Sequence, residues 1–183
     1  PPIYFERWQI DEVWNQVALN TASLIEDESC LAFSIGPLYE ALSKNLTDKR
    51  HLGIHSPFFT DPLMDLMKSG VVTNLRKNTY RGKSLTSYAL GTPRLMAWLN
   101  NNPLVEFQQI AKVFNPTEIG LNSKFVTVVA AKKVDLRGRI GLHIGKGNVA
   151  TGPAEVMDFI NGAELSDGGR TIFALTSRDP NGQ

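Results

Sequence analysis

Residues 130–140, "AAKKVDLRGRI", place two cations, Lys132 and Lys133, where an apolar run ends and a turn carrying Arg137 and Arg139 begins. Ammonium and guanidinium groups can meet phosphates, and a lysine that sheds its proton can attack an activated carbonyl. Two glycine-rich turns offer a different chemistry. "IGKGNVATGPAEVMDF", residues 144–159, runs strand, Gly145-x-Gly147, Gly152, helix, an order in which backbone N–H groups can cradle a phosphate. Its last glycine follows Gly147 after four residues, not the two of a dinucleotide fingerprint. Lys146 also lacks the Ser or Thr that follows it in a P-loop, so a plain flexible turn remains the competing reading. In "ALGTPRLMAWL", Gly91 permits close backbone approach to a ligand and Arg94 sits in the first helical turn, where an anion could be met. The same residues also describe an ordinary helix start capped by Thr92.

Other chemistries are disfavoured. His51 and His55 bracket a strand, and four residues of strand span about 13 Å, too far for one ion. No metal site is expected. There is no G-x-S-x-G elbow, and Cys30 opens the apolar stretch "CLAFSIG", where a small buried thiol fits better than a nucleophile.

The elements that must carry these residues read as follows. An apolar stripe through Val13, Trp14, Val17, Ala18, Ala22 and Ile25 predicts a helix over 11–26, with Asp11 as N-cap. "CLAFS" predicts a buried strand, and Gly36-Pro37 starts a helix running to Leu46. "HLGIH" predicts a strand, and Asp61-Pro62 starts a helix that ends at Gly70. "SLTSYAL" predicts a strand leading into the helix from Gly91, which stops at the asparagines before Pro103. Strands over 124–131 and 134–142 follow, with antiparallel pairing in that region. Gly152-Pro153 starts a further helix, and "TIFALTS" is the last strand. Short strands alternating with helices of about ten residues indicate a layered α/β fold with a mixed, mostly parallel sheet.

The bulk numbers agree with that class. The chain has 183 residues, 42% hydrophobic and 20% charged, enough for one domain with a sizeable core. Residues 1–29 read as a helical lead-in and 30–183 as the α/β domain. A formal charge of +1 argues against nucleic acid as a partner. The basic clusters at Lys49–His51, at Arg76-Lys77 with Arg81 and Lys83, and at Lys132–Arg139 read as solvated surface by default. One cysteine, no signal peptide and no apolar run of membrane-spanning length predict a cytoplasmic protein without a membrane partner. The first residue, Pro1, and the stop on "SRDPNGQ" directly after a strand suggest a piece of a longer protein.

Four stretches resemble the acetyl-CoA hydrolase/transferase family, which includes 4-hydroxybutyrate and succinyl-CoA:acetate CoA-transferases. They are "LGIHSPFFTDPLMDLMKSGVVTN", "GTPRLMAWLNNNPLVEF", "VDLRGRI" and "MDFINGAELSDGGRTIFAL", ordered as in the family and covering residues 30–178. The resemblance implies the CoA-transferase α/β fold, specifically part of the second of two similar domains, with the remaining domains of the parent chain as partners. It also implies a CoA thioester as ligand and no permanently bound cofactor. In that family a glutamate two residues before the aspartate of V-D-L-x-G attacks the thioester and carries CoA as a glutamyl thioester. Counted back from Asp135, that position is Lys133. An ammonium is not a nucleophile, and a neutral amine would give an amide that no carboxylate substrate reopens.

Other departures run the same way. The family's glycine loop before V-D-F aligns with Gly152-Pro153-Ala154-Glu155, its Glu in H-[ST]-E with Pro57, and its early G-I-G with Ser34-Ile35-Gly36. Glu155, at a helix start, is the one candidate for a relocated nucleophile. The resemblance thus predicts either a domain that binds CoA or acyl-CoA through Gly91, Thr92, Arg94, Gly145, Gly147 and Gly152 without turnover, or an active hydrolase or transferase using a carboxylate elsewhere. The non-catalytic domain would act as a regulatory binder or contribute a domain or homodimer interface.

Overall fold

A computed structural model describes residues 4–142 and 154–177. Its centre is a parallel sheet in the order β10-β7-β1-β2, built from β1 (Cys30–Ala32), β2 (Gly53–Ile54), β7 (Phe125–Ala130) and β10 (Arg170–Ala174). These strands are short apolar runs because both faces are covered. In β1, Leu31 belongs to one core cluster with Phe33, Leu42, Leu63 and Val126, while Cys30 and Ala32 belong to a second with Phe114, Phe125 and Phe159. Alternate residues of one strand therefore serve opposite layers.

One layer holds α1 (Glu12–Ser23), α2 (Pro37–Lys44), α3 (Asp61–Lys68) and α4 (Pro93–Leu99). Asp11 caps α1 by accepting from the Trp14 N–H at 2.7 Å, and Ala18, Thr21 and Ala22 form its buried face. In α3 the capping position is Thr60, one residue earlier than the sequence suggests, and the N-cap Thr60 makes no side-chain capping bond. The other layer contains α5 (Ile110–Val113), α6 (Pro116–Gly120) and α7 (Ala154–Leu165).

Three sequence expectations change on contact with the structure. The 84–90 segment is two strands, β4 (Ser84–Thr86) and β5 (Tyr88–Ala89), pairing in parallel with β6 (Val105–Phe107) and β3 (Phe58–Phe59) respectively. A bend at Ser87 lets adjacent residues join different partners. The strand over 124–131 pairs in parallel on both sides; the antiparallel pairing is confined to a small hairpin of β8 (Lys133–Val134) and β9 (Ile140–Gly141). Finally, α5, α6 and β6 have no prediction. They are three to five residues long, too short for a periodic signal.

Candidate functional site

From β1 the chain moves to β2 on one side, later returns to β7 on the other side of β1, and then continues outward to β10. The strand order therefore reverses between β1 and β7. In open parallel sheets a ligand crevice forms outside the carboxyl ends of the strands at such a point. One lip is the segment after β1, Phe33–Gly36; the other is the segment after β7, Ala131–Lys133. Both are anchored. The Ser56 hydroxyl donates to the Phe33 carbonyl at 2.8 Å and accepts from the Phe33 N–H at 3.1 Å. The Tyr39 hydroxyl donates to the Val128 carbonyl at 2.9 Å, tying α2 to β7 beneath the crevice.

The second lip leads into the β8–β9 hairpin. The Ala131 N–H donates to the Ala174 carbonyl and the Lys132 N–H to the Gly141 carbonyl, each at 2.8 Å. Asp135 organises the turn. Its carboxylate accepts from the Arg137 and Arg139 N–H groups at 2.9 Å each and from Arg139 Nε at 2.6 Å. Gly138, at φ 78°, supplies the left-handed residue that closes it. The backbone and side-chain hydrogen bonds from Arg139 hold the Asp135 carboxyl below its ordinary range. Bound in this way, Asp135 is a poor nucleophile, since attack would forfeit three hydrogen bonds to its charged form.

Lys133 is exposed, and its stem lies across the strand partner Gly141, where an added Cβ would sit 2.8 Å from Lys133 Cγ. Among the described residues, Lys132, Lys133 and Arg137 have no ion-pair partner, whereas Arg139 is bound to Asp135. The hairpin thus sets four cations against one carboxylate. Its apolar side chains also project: Leu136 is fully exposed and Val134 is 55% exposed.

The 91–94 turn serves a different end. The Asp61 carboxylate is buried and accepts from the Thr92 N–H at 2.9 Å and the Thr92 hydroxyl at 2.6 Å. Thr92 Oγ1 in turn accepts from the Leu95 N–H at 3.3 Å, capping α4. The open side of Gly91 is filled by that Asp61 carboxylate and by Leu95, not left clear for a ligand. Arg94 is largely exposed and pairs with Asp65 at 3.8 Å. Beside this turn, and bordering Ser34–Gly36, lies a small hollow open to solvent whose walls include Phe5, Trp8, Tyr39 and Thr60. Arg7 closes one side of it, donating to Glu40 at 2.7 Å and to Asp65 at 2.5 Å.

Gly145, Gly147 and Gly152 lie outside the described residues, and the Glu155 side chain likewise; only the helical backbone at 154–165 is described there. The two histidines differ in character. His51 is exposed at φ 57°, while His55 is fully buried, and no metal-holding cluster occurs among the described residues.

Two buried polar networks escape sequence reading. Lys77, assigned to solvated surface by its basic neighbours, is 4% exposed and donates to the Ile54 and Lys83 carbonyls at 2.8 Å. Burial pushes its ammonium down to about 8. Next to it Asn74 accepts from the Ile54 N–H at 2.8 Å and donates to Ser84 Oγ at 3.1 Å. His55 donates from Nε2 to the Val113 carbonyl at 2.8 Å, lies edge-on to Phe125 and Phe159, and is pushed down to about 4 by burial. Asn122 Oδ1 gathers the Asn78 and Thr79 N–H groups at 3.2 Å. The only sequence signal for any of these was the "VVTN" ending in Asn74, within a stretch read for its resemblance rather than its bonding.

Comparison with known proteins bears directly on this geometry. Residues 91–183 match the model of the acetyl-CoA hydrolase/transferase C-terminal domain. The 4-hydroxybutyrate coenzyme A transferase of Clostridium kluyveri is 37% identical over 170 residues, covering 92% of this chain and 39% of the relative. The succinyl-CoA:cyclohexane-1-carboxylate CoA transferase of Geobacter metallireducens is 36% identical over 161 residues, covering 88% of this chain and 37% of the relative. Among solved structures, RipA from Yersinia pestis superposes with a TM-score of 0.90 at 30% identity, over 100% of this chain and 40% of that one. A 4-hydroxybutyrate CoA-transferase from Porphyromonas gingivalis superposes with a TM-score of 0.88 at 28% identity, over 100% of this chain and 43% of that one. The chain thus spans 37–39% of the length of these two relatives.

Proposed function

Since this chain belongs to the acetyl-CoA hydrolase/transferase family, we propose that it is a CoA-transferase-like domain that binds CoA or an acyl-CoA at the β1/β7 crevice without running the exchange reaction. The observation that carries this is the residue at the second lip. Where the family resemblance expects a nucleophilic glutamate, Lys133 stands on the hairpin, and the one carboxylate beside it among the described residues, Asp135, is committed to the turn. A glutamyl thioester can pass CoA onward because thioesters and acyl anhydrides lie at comparable energy. A lysine offers no such reversible intermediate. Lys132, Lys133 and Arg137 instead suit the phosphates of a nucleotide-like ligand, to which ammonium and guanidinium groups bind as charge-assisted donors.

The chemistry lost is local, while the framework is intact. The parallel sheet, the Asp61–Thr92 pairing and the Asp135 turn all form without the glutamate. Calorimetry with CoA and with acetyl-CoA tests the proposal. Binding heat without acetate release supports it. Absence of heat at millimolar CoA leaves an interface role, with the other domains of the parent chain or with a second copy. Steady acetate release, with borohydride reduction of a glutamate such as Glu155, would establish the alternative of an active enzyme with a relocated nucleophile.

A further inference from the structure

The hollow beside the first lip bears on which thioester the crevice admits. We propose that it seats the acyl group of the bound CoA thioester and selects short, uncharged acyl groups over those that end in a second carboxylate. This rests on the reading that a CoA thioester occupies the β1/β7 crevice.

Apolar side chains gather at its opening. Phe5, Trp8 and Ile35 line the hollow while remaining 45%, 51% and 44% exposed, so three large apolar groups meet in one place. Such a cluster marks a binding surface, whereas scattered exposed apolar residues need no explanation. Ile35 belongs to the first lip and so joins the hollow to the crevice. The wall is also built rather than loose. The Phe5 N–H donates to the Gly91 carbonyl at 3.0 Å, and two residues later Arg7 is clamped to Glu40 at 2.7 Å. Tyr39, buried in the wall, is fixed by its hydroxyl bond to the Val128 carbonyl.

The charge around the hollow sets the selectivity. Glu6, Glu40 and Asp61 line it against one cation, Arg7. That guanidinium is already shared between Glu40 and Asp65. Asp61 is 4% exposed and accepts from the neutral Thr92 N–H and hydroxyl. A second carboxylate on the acyl group would therefore enter a space with an excess of negative charge, beside low-dielectric walls, where the lining cation is engaged. A butyryl group brings only methyl and methylene surface, which the aromatic walls remove from water. The same residues thus attract one class of acyl group and repel the other.

Calorimetry of the intact protein with CoA, butyryl-CoA and succinyl-CoA tests this. Butyryl-CoA should bind about fivefold more tightly than CoA, from the apolar surface it buries. Succinyl-CoA should bind about tenfold more weakly than butyryl-CoA, from the added charge. Two variants at exposed positions check the cause. Trp8→Ala should cut the ratio of butyryl-CoA to CoA affinity about threefold. Glu6→Lys should narrow the gap between succinyl-CoA and butyryl-CoA by about threefold. Equal affinity for the two acyl-CoAs, or a gap that Glu6→Lys leaves unchanged, would overturn the selection. CoA binding with no gain from the butyryl group would overturn the acyl seat while leaving the binding reading intact. Absence of heat from all three ligands would remove both.

Discussion

Gly91→Ala tests whether the glycine at the head of α4 serves the fold or a ligand. An alanine Cβ at this position would collide with the Asp61 carboxylate and come within 2.8 Å of Leu95 Cδ2. To clear it, the carboxylate must leave the Thr92 N–H and hydroxyl that now hold it at 2.9 and 2.6 Å. Hydrogen bonds to a charged group contribute roughly 1.5–3 kcal/mol each. With partial relaxation the loss of this pair should cost about 3–4 kcal/mol. For a chain of this size that corresponds to a fall in melting temperature of about 10 °C. Urea titration and thermal melts followed by circular dichroism would measure both quantities. The cause is checked in a second background. With Asp61→Ala the carboxylate is gone and only the flexible end of Leu95 must shift, so adding Gly91→Ala should cost no more than about 1 kcal/mol. A Gly91→Ala variant within about 0.5 kcal/mol of the parent would refute the steric argument and return Gly91 to the ligand reading.

Three further outcomes follow from the same geometry. His55 is held neutral, pushed down to about 4 from an ordinary 6.5, so below the ordinary value the unfolded chain takes up a proton that the folded chain refuses. Stability should therefore fall as pH drops from about 6.5 to about 4, by about 3 kcal/mol in total, and His55→Gln should flatten that slope in urea titrations run across the range. Asn122→Ala strands the Asn78 and Thr79 N–H groups and should cost about 2–3 kcal/mol, with faster amide exchange at those two residues. A small loss with unchanged exchange would show that the 75–82 segment is held by other contacts. Lys133→Glu should give a glutamyl–CoA adduct on exposure to acetyl-CoA, visible by mass spectrometry. A variant that binds CoA but forms no adduct would refute the placement of the reacting carbonyl at residue 133.

What the sequence revealed and what it hid divide along physical lines. The helices with caps and apolar stripes, α1 to α4, were legible because Asp11, Pro37, Pro62 and Thr92 mark starts by local chemistry. The buried strands β1, β7 and β10 were legible as apolar runs. Their parallel pairing was not, since Cys30 meets both Gly53 and Phe125, each more than twenty residues further along the chain. Gly91 was legible as a position demanding a glycine, but the reason, Asp61, lies thirty residues earlier. Lys77 was misread because charge predicts exposure on average. Only the tertiary fold brings two carbonyls, Ile54 and Lys83, within reach of its ammonium.

The hairpin shows why either sign of charge at residue 133 can leave the fold untouched. Asp135 is bound to the turn by three hydrogen bonds, and Gly138 gives the turn its left-handed residue, so both are required for the hairpin to form. The side chain at 133 makes no such bond; it rests on a glycine and reaches solvent. A carboxylate or an ammonium there meets the same backbone pairing, Lys133 with Gly141 and Val134 with Ile140. Selection for folding therefore constrains Asp135 and Gly138 but not residue 133, whose identity answers only to what enters the crevice. Replacing Lys133 should therefore leave stability within about 0.5 kcal/mol of the parent, and under the proposed function its effect should appear in CoA binding instead.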